Sequence, residues 1–366
     1  MKKRILCVLL SGAMVLGMCL SGCGASREDP KETVKKAVLD ALKLKGEDFS
    51  TFLEDGIQET DEINNFTLSF PKEAEEPYLD FLRTAYSKVE IEVASVDEKE
   101  GDYIARVSFD PLNVALTLQE TEDTYVESLE STDSAEALTG LLKEGAKALK
   151  ENAVYDDKDT VDFTVKKKGD SFVVSGEDVE KVKENALVEP MQPYELINGM
   201  LNMQGFFKAY LDASFKGELT EFMKHMHKTQ EEAEQWYEGD GSFDAPEDMA
   251  EAYRERYTAA CKSIYKQSKY SVGIPHKLPG MFKYTVDVTY TPNLGFMKAW
   301  DEFESSTYPD IEAASAAYVE CMEKYVQTPA YGEETVQSVE LSVDSFFNEE
   351  TSDIYMLVNE ICPTPE

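Results

Sequence analysis

The sequence predicts an α+β protein built of two tandem, related domains, each with helices packed on a curved antiparallel sheet. Three observations point there: apolar stripes at helical spacing, alternating runs joined by polar turns, and ordered matches between the two halves of the chain. The 366 residues leave room for two or three domains at roughly 100–200 residues each. With 42% hydrophobic and 11% aromatic residues there is enough apolar material for a core in each. The 72 acidic against 36 basic residues therefore do not describe a disordered acidic chain. A net charge of −36 excludes a nucleic-acid partner, because a polyanion must be met by an excess of Lys and Arg.

The N-terminus has the layout of an export signal. Met1–Arg4 is cationic, Ile5–Cys19 is an apolar run too short for a stable spanning helix, and Leu20-Ser21-Gly22-Cys23 closes it. That ending resembles the lipobox of bacterial lipoproteins: Leu, small, small, Cys. The resemblance implies that residues 1–22 are removed and that Cys23 becomes the acylated first residue of the mature chain. The alternative is a plain secretory signal in which a Cys happens to follow two small residues. Two acyl chains are what durable membrane anchoring requires, since one binds only marginally. Residues 23–30 then form a short tether, of which Gly24–Pro30 spans about 20–25 Å at most. Removing Lys2, Lys3 and Arg4 lowers the net charge to −39, so an anionic leaflet repels the mature surface and lipid insertion must hold it. Once the signal is gone and Cys23 is acylated, Cys261, Cys321 and Cys362 remain, enough for one disulfide at most.

The body of the chain matches itself. Lys36-Ala-Val-Leu-Asp-Ala41, with Lys45-Gly46-Glu47 and Phe52, returns as Lys208-Ala-Tyr-Leu-Asp-Ala213, with Lys216-Gly217-Glu218 and Phe222. Tyr103–Pro111 returns as Tyr284–Pro292. Two matches in the same order imply a duplicated domain, 31–187 and 194–366. Residues 188–193 are a linker, because Pro190 and Pro193 disfavour helix there.

Each element follows from local pattern. Val34, Ala37, Val38, Ala41 and Leu42 form a helical stripe. A second helix covers about Glu75–Ser87, and Val89–Val93 with Tyr103–Phe109 flank a polar turn as a hairpin. Asp133-Ser-Ala-Glu136 reads as a capping box ahead of the stripe Leu138, Leu141, Leu142, Gly145 and Leu149. Val161–Val165 and Phe172–Val174 make a second hairpin around Lys166–Asp170. In the second copy Ile311, Ala314, Ser315, Tyr318, Met322 and Tyr325 form the corresponding helix, and Val336–Phe346 and Ile354–Val358 the closing strands. Behind a lipobox, this tandem order resembles Gram-positive lipoproteins whose domains look like NTF2-like or cystatin-like curved-sheet folds. Such folds host enzymes, binding modules and structural domains alike, so the resemblance implies no activity.

Candidate chemistry is sparse. His225, His227 and His276 all lie in the second copy, which excludes a histidine site common to both. Met223–Lys228 offers imidazoles and thioethers to a soft metal, but on a helix His225 and His227 point about 200° apart, so no metal ligands are assigned. Asp240–Glu251 resembles a calcium loop at several positions but has Ala245 where the turn needs Gly. It reads instead as a helix start, with Asp244 as cap and Pro246 and Glu247 in the first turn. Asp40 and Asp212 are read as solvated helix-face residues, and Tyr103, Tyr284 and Tyr290 as core or pocket wall. No G-x-S-x-G, Walker loop, CxxC or HExxH occurs, which lowers the prior for an enzyme without removing it. No cofactor and no catalytic residue is assigned; the one assigned site residue is Cys23. The expectation is a lipid-anchored extracytoplasmic protein that binds or scaffolds an envelope protein, peptide or cationic ligand. An enzyme with a pocket carboxylate beside a Tyr is the alternative, and a transporter's solute-binding lipoprotein ranks last.

Overall fold

The structure, a computed structural model, describes residues 29–43, 49–169, 171–239, 243–278, 283–342, 346 and 353–365. It mixes helix and strand, and its larger sheets are antiparallel. The residues form two compact units: Met1–Ile63, Phe70–Ser128 and Ala135–Glu195 in the first, Asn64–Ser69, Leu129–Ser134 and Leu196–Glu366 in the second.

In the first unit, α1 (Pro30–Ala41) starts where Asp29 accepts the Lys31 N–H and Pro30 sets the first helical φ. It buries Val34 and Val38, with Leu42 just beyond its end. Next come α2 (Ser50–Asn64) and α3 (Glu75–Tyr86), the latter entered through a 3-10 turn at Lys72–Ala74. Strands β1 (Ile91–Lys99) and β2 (Asp102–Phe109) pair antiparallel. Glu100 and Gly101, at φ 56° and 90°, make the two-residue connection whose handedness suits strand twist. After β3 (Leu112–Asn113) follow α4 (Val114–Glu127), α5 (Ser134–Glu151), β4 (Asp159–Lys168), β5 (Ser171–Val174), α6 (Gly176–Ala186) and β6 (Leu187–Val188). The sheet runs β1-β2-β4-β5, and β3 pairs parallel with β6.

Period-2 alternation puts Tyr103, Ala105, Val107 and Phe109 on one face of β2, joined by Phe163 and Val165 of β4, all buried. Where β5 stops pairing, α6 takes over the edge of β4: Ser175 caps it and Asp178 accepts the Thr164 N–H at 2.9 Å. Both expected hairpins are present, as are the helix at Glu75 and the buried stripe of α5.

In the second unit, α7 (Gln192–Lys216) carries Pro193 in its first turn, so the end of the expected linker is already helical. The division between units falls at Glu195/Leu196. Then follow α8 (Leu219–Met226), α9 (Gln230–Gly239), α10 (Glu251–Tyr265), β7 (Lys269–Val272), β8 (His276–Lys277), β9 (Tyr284–Thr291), α11 (Gly295–Glu304), α12 (Ile311–Gln327), β10 (Thr335–Leu341) and α13 (Asp353–Ile361). β9 is central, with β10 on one side and β7 and β8 on the other. Its inward residues Val286, Val288 and Tyr290 meet Phe207 and Phe215 of α7, Phe296 of α11 and Met322 of α12 in one core.

Three local expectations are corrected here. Ile354–Val358 is helical, not a strand: Ile354, Leu357 and Ile361 recur at i, i+3 and i+7 and are fully buried, a helical period that a short apolar run conceals. The helix expected from Asp244 begins at Glu251. Arg254 holds the preceding turn by donating to the carbonyls of Pro246, Glu247 and Met249, while Met249 is buried and Ser315 Oγ accepts the Ala250 N–H. Ile311, placed on the inward stripe of α12, is half exposed, because Asp310 caps the helix there and its first residue overhangs the core.

Candidate functional site

Cys23 and the whole signal-like segment lie outside the described residues, as do residues 240–242 of the calcium-like loop. Among the described residues no cluster of three or more His, Cys, Asp or Glu is placed to hold a metal ion.

The histidines of the Met223–Lys228 run diverge. His225, on the last turn of α8, stacks flat on Phe206 at 5.0 Å and places Nδ1 3.3 Å from Thr67 Oγ1. Burial depresses its basicity below the usual histidine range. His227 is the left-handed C-cap of α8 and places Nε2 2.6 Å from Asn65 Nδ2. Thr67 N–H and Oγ–H both donate to Asn202 Oδ1, and Asn198 Nδ2 donates to the Leu68 carbonyl. The run therefore helps α7 grip the segment Asn64–Ser69 within the second unit. His276 is exposed on β8.

Asp212 corrects the expectation of a solvated helix face. It is 5% exposed and accepts from Lys208 Nζ, Lys216 Nζ and, at 2.8 Å, Tyr270 Oη. Burial alone would raise its pKa, but these three donors outweigh it and hold the carboxyl below the usual range. Its helical position faces β7, where Tyr270 supplies a partner no helix pattern reveals. Asp40, aligned with it in the sequence match, pairs with Lys43 at the surface. Tyr103 and Tyr290 are core residues; Tyr290 Oη donates to Glu360 at 2.7 Å.

A further carboxylate beside a Tyr, after Asp212–Tyr270 and Glu360–Tyr290, occurs at a place the sequence did not single out. Tyr194 Oη donates to Asp61 Oδ1 at 2.6 Å, and burial raises the Asp61 pKa. Phe70 packs 5.1 Å from the Tyr194 ring and 6.0 Å from Tyr78, whose hydroxyl donates to the Pro190 carbonyl. The Tyr194 side chain is fully buried, so the pair ties α2 to the start of α7 and offers no open phenol to a substrate.

An open feature of the first unit is a groove of about 820 Å³, lined by Pro111, Tyr155, Asp156, Asp157, Lys158, Asp159, Glu184, Asn185, Leu187 and Val188. Its floor is a narrow ribbon. Residues 154–156 run antiparallel beside 111–113, through Asn113 N–H to the Val154 carbonyl and Asp156 N–H to the Pro111 carbonyl, and β6 pairs on the far side of β3. Asn113 caps α4 with its Oδ1 and donates from Nδ2 to Asp156 at 3.0 Å. Asn185, in the last turn of α6, donates to Asp159 at 3.1 Å. Lys158 turns away to Glu92 at 2.9 Å.

Glu184 and Asp157 make no side-chain hydrogen bond or ion pair among the described residues. The Glu184 pKa is raised by burial and by the neighbouring charges of Glu180 and Asp55. Carboxylates, a phenol and an amide around a lysine already engaged elsewhere form a set that attracts cations and N–H donors. The run Tyr155-Asp-Asp-Lys-Asp159 carried this acidity in the sequence, but only the fold brings Glu184 beside it. No family model, no curated protein and no solved structure matches this chain.

Proposed function

We propose that the protein is an acyl-anchored extracytoplasmic lipoprotein that binds or scaffolds a partner at the outer face of the cell membrane. The observation that carries this reading is the sequence Leu20-Ser21-Gly22-Cys23 behind a cationic segment and an apolar run. Among the described residues no helix is long and apolar enough to cross a membrane. The test is expression in a bacterial host fed an alkyne-tagged fatty acid. The full chain should take up the label and sediment with membranes, and Cys23→Ala should lose both. A Cys23→Ala chain that still carries the label would overturn the reading.

The two units are read as copies of one duplicated domain with curved-sheet character. Two placements support this. The Lys36–Ala41 and Lys208–Ala213 matches both lie on helices, α1 and α7, and Tyr103–Phe109 and Tyr284–Tyr290 both lie on interior strands, β2 and β9. The solute-binding alternative calls for parallel strands in βαβ units, and antiparallel sheets do not support it.

A further inference from the structure

Nine large hydrophobic side chains stand exposed among the described residues, and three of them, Leu116, Val154 and Tyr155, lie on neighbouring segments of the first unit. The hydrogen bonds around Asn113 bring them together. Asn113 caps the turn that holds Leu116, its N–H binds the Val154 carbonyl, and Val154 N–H donates to Thr117 Oγ1 at 3.0 Å. Tyr155 is 42% exposed although its hydroxyl donates to the Lys88 carbonyl, so the ring face stays open while its end is pinned. Tyr155 also lines the groove, beside Pro111, Leu187 and Val188.

The charge beside it selects the occupant. Asp156, Asp157, Asp159 and Glu184 line the same groove, and its one cation, Lys158, is paired with Glu92. Glu184 and Asp157 line it with no side-chain hydrogen bond or ion pair among the described residues, and partial desolvation and like charge already penalise the Glu184 carboxylate. A cation seated there relieves that repulsion, and an apolar side chain next to it covers the Tyr155 ring. A bare metal ion or a polyamine meets only the first requirement.

We propose that this surface of the first unit docks a basic polypeptide segment, one apolar side chain packing on Tyr155 and flanking Lys or Arg residues pairing with Glu184 and Asp157. The proposal takes the binding role above as its premise but not the lipid anchor, so the fatty-acid experiment and the one that follows fail independently.

The experiment uses the full chain and a short fluorescent peptide alternating lysine and leucine, followed by anisotropy. Tyr155→Ser and the pair Asp157→Asn/Glu184→Gln should each weaken binding about tenfold, while Tyr155→Phe, which keeps the ring, should not. Glu231→Gln/Glu234→Gln, on exposed positions of α9, controls for general attraction to an acidic protein and should leave affinity unchanged. Circular dichroism of each variant identifies any that unfold, and Glu184→Gln, at an exposed helix position, keeps the test open if Tyr155→Ser does. Equal losses in the groove and α9 variants would overturn the proposal. So would spermidine displacing the peptide as effectively as unlabelled peptide does, because the apolar contact would then count for nothing.

Discussion

Asp212 illustrates how a single carboxylate can be moved from helix decoration to structural knot by three donors. Replacing it by Asn keeps the shape and removes the charge that Lys208, Lys216 and Tyr270 all address. Because both lysines keep water contact, the expected cost is about 1–3 kcal/mol, read as a lower urea midpoint at neutral pH. The native carboxyl ionises below its unfolded value of about 3.9, so its contribution is complete above that value and fades as pH falls towards the lower native one. The difference between wild type and Asp212→Asn should therefore shrink on acidification to about pH 3. His225 works at higher pH. Burial keeps its imidazole neutral, so the stability linked to it is complete above about 6.5 and declines as pH drops towards the depressed native value. His225→Gln should flatten that decline in urea titrations. The buried thiols of Cys261 and Cys362 are pushed up to about 12 by desolvation, and Cys321 is the half-exposed one. Native alkylation at neutral pH should mark Cys321 alone of the three, and denaturation should expose all of them.

At the scale of elements, α7 depends on how closely it can approach β9. A Cβ on Gly199 would sit 2.9 Å from Tyr284 Oη, so Gly199→Ala sets the gain of about 1 kcal/mol from removing a mid-helix glycine against displacement of that hydroxyl, and Gly199→Ala should be better tolerated in a Tyr284→Phe background. A thermal-melt double-mutant cycle checks the coupling, and strict additivity would contradict the contact. Elements of strong period were legible in the sequence: α1, α3, α5, both hairpins of the first unit and β9 stand where the apolar spacing puts them. Those that failed did so for physical reasons. In α13 a short apolar stretch satisfies helix and strand alike, and the choice belongs to the core that buries Ile354, Leu357 and Ile361. At Asp244 good capping chemistry lost to Arg254, which satisfies three carbonyls of a turn instead. Helices such as α4 and α6, whose stripes are broken by acidic residues, gave little periodic signal. Of the groove, the Tyr155–Asp159 stretch was visible as composition, whereas Glu184 and Asn185 arrive from another element and no local pattern points to them.

For the whole molecule, charge and the proposed anchor would pull in opposite directions. The net charge of −39 that loss of residues 1–22 would leave is repelled by phosphatidylglycerol headgroups, so chain produced from Gly24 onward, without lipid, should stay in the supernatant of such vesicles at low and high salt. The acylated chain should sediment with them, and cosedimentation of the unlipidated chain would mean that some part of the surface binds lipid directly. The hexapeptide Asn64–Ser69 adds a constraint of order in time. It sits early in the chain, yet the groups that hold it, Asn198, Asn202, His225 and His227, come some 130 to 160 residues later. A ribosome emits the hexapeptide long before its partners exist, so these contacts can form only when nearly two thirds of the protein has been made. Neither unit is one uninterrupted stretch, and a gene cut at Glu195 would encode a fragment carrying two six-residue segments, Asn64–Ser69 and Leu129–Ser134, that belong to its absent neighbour.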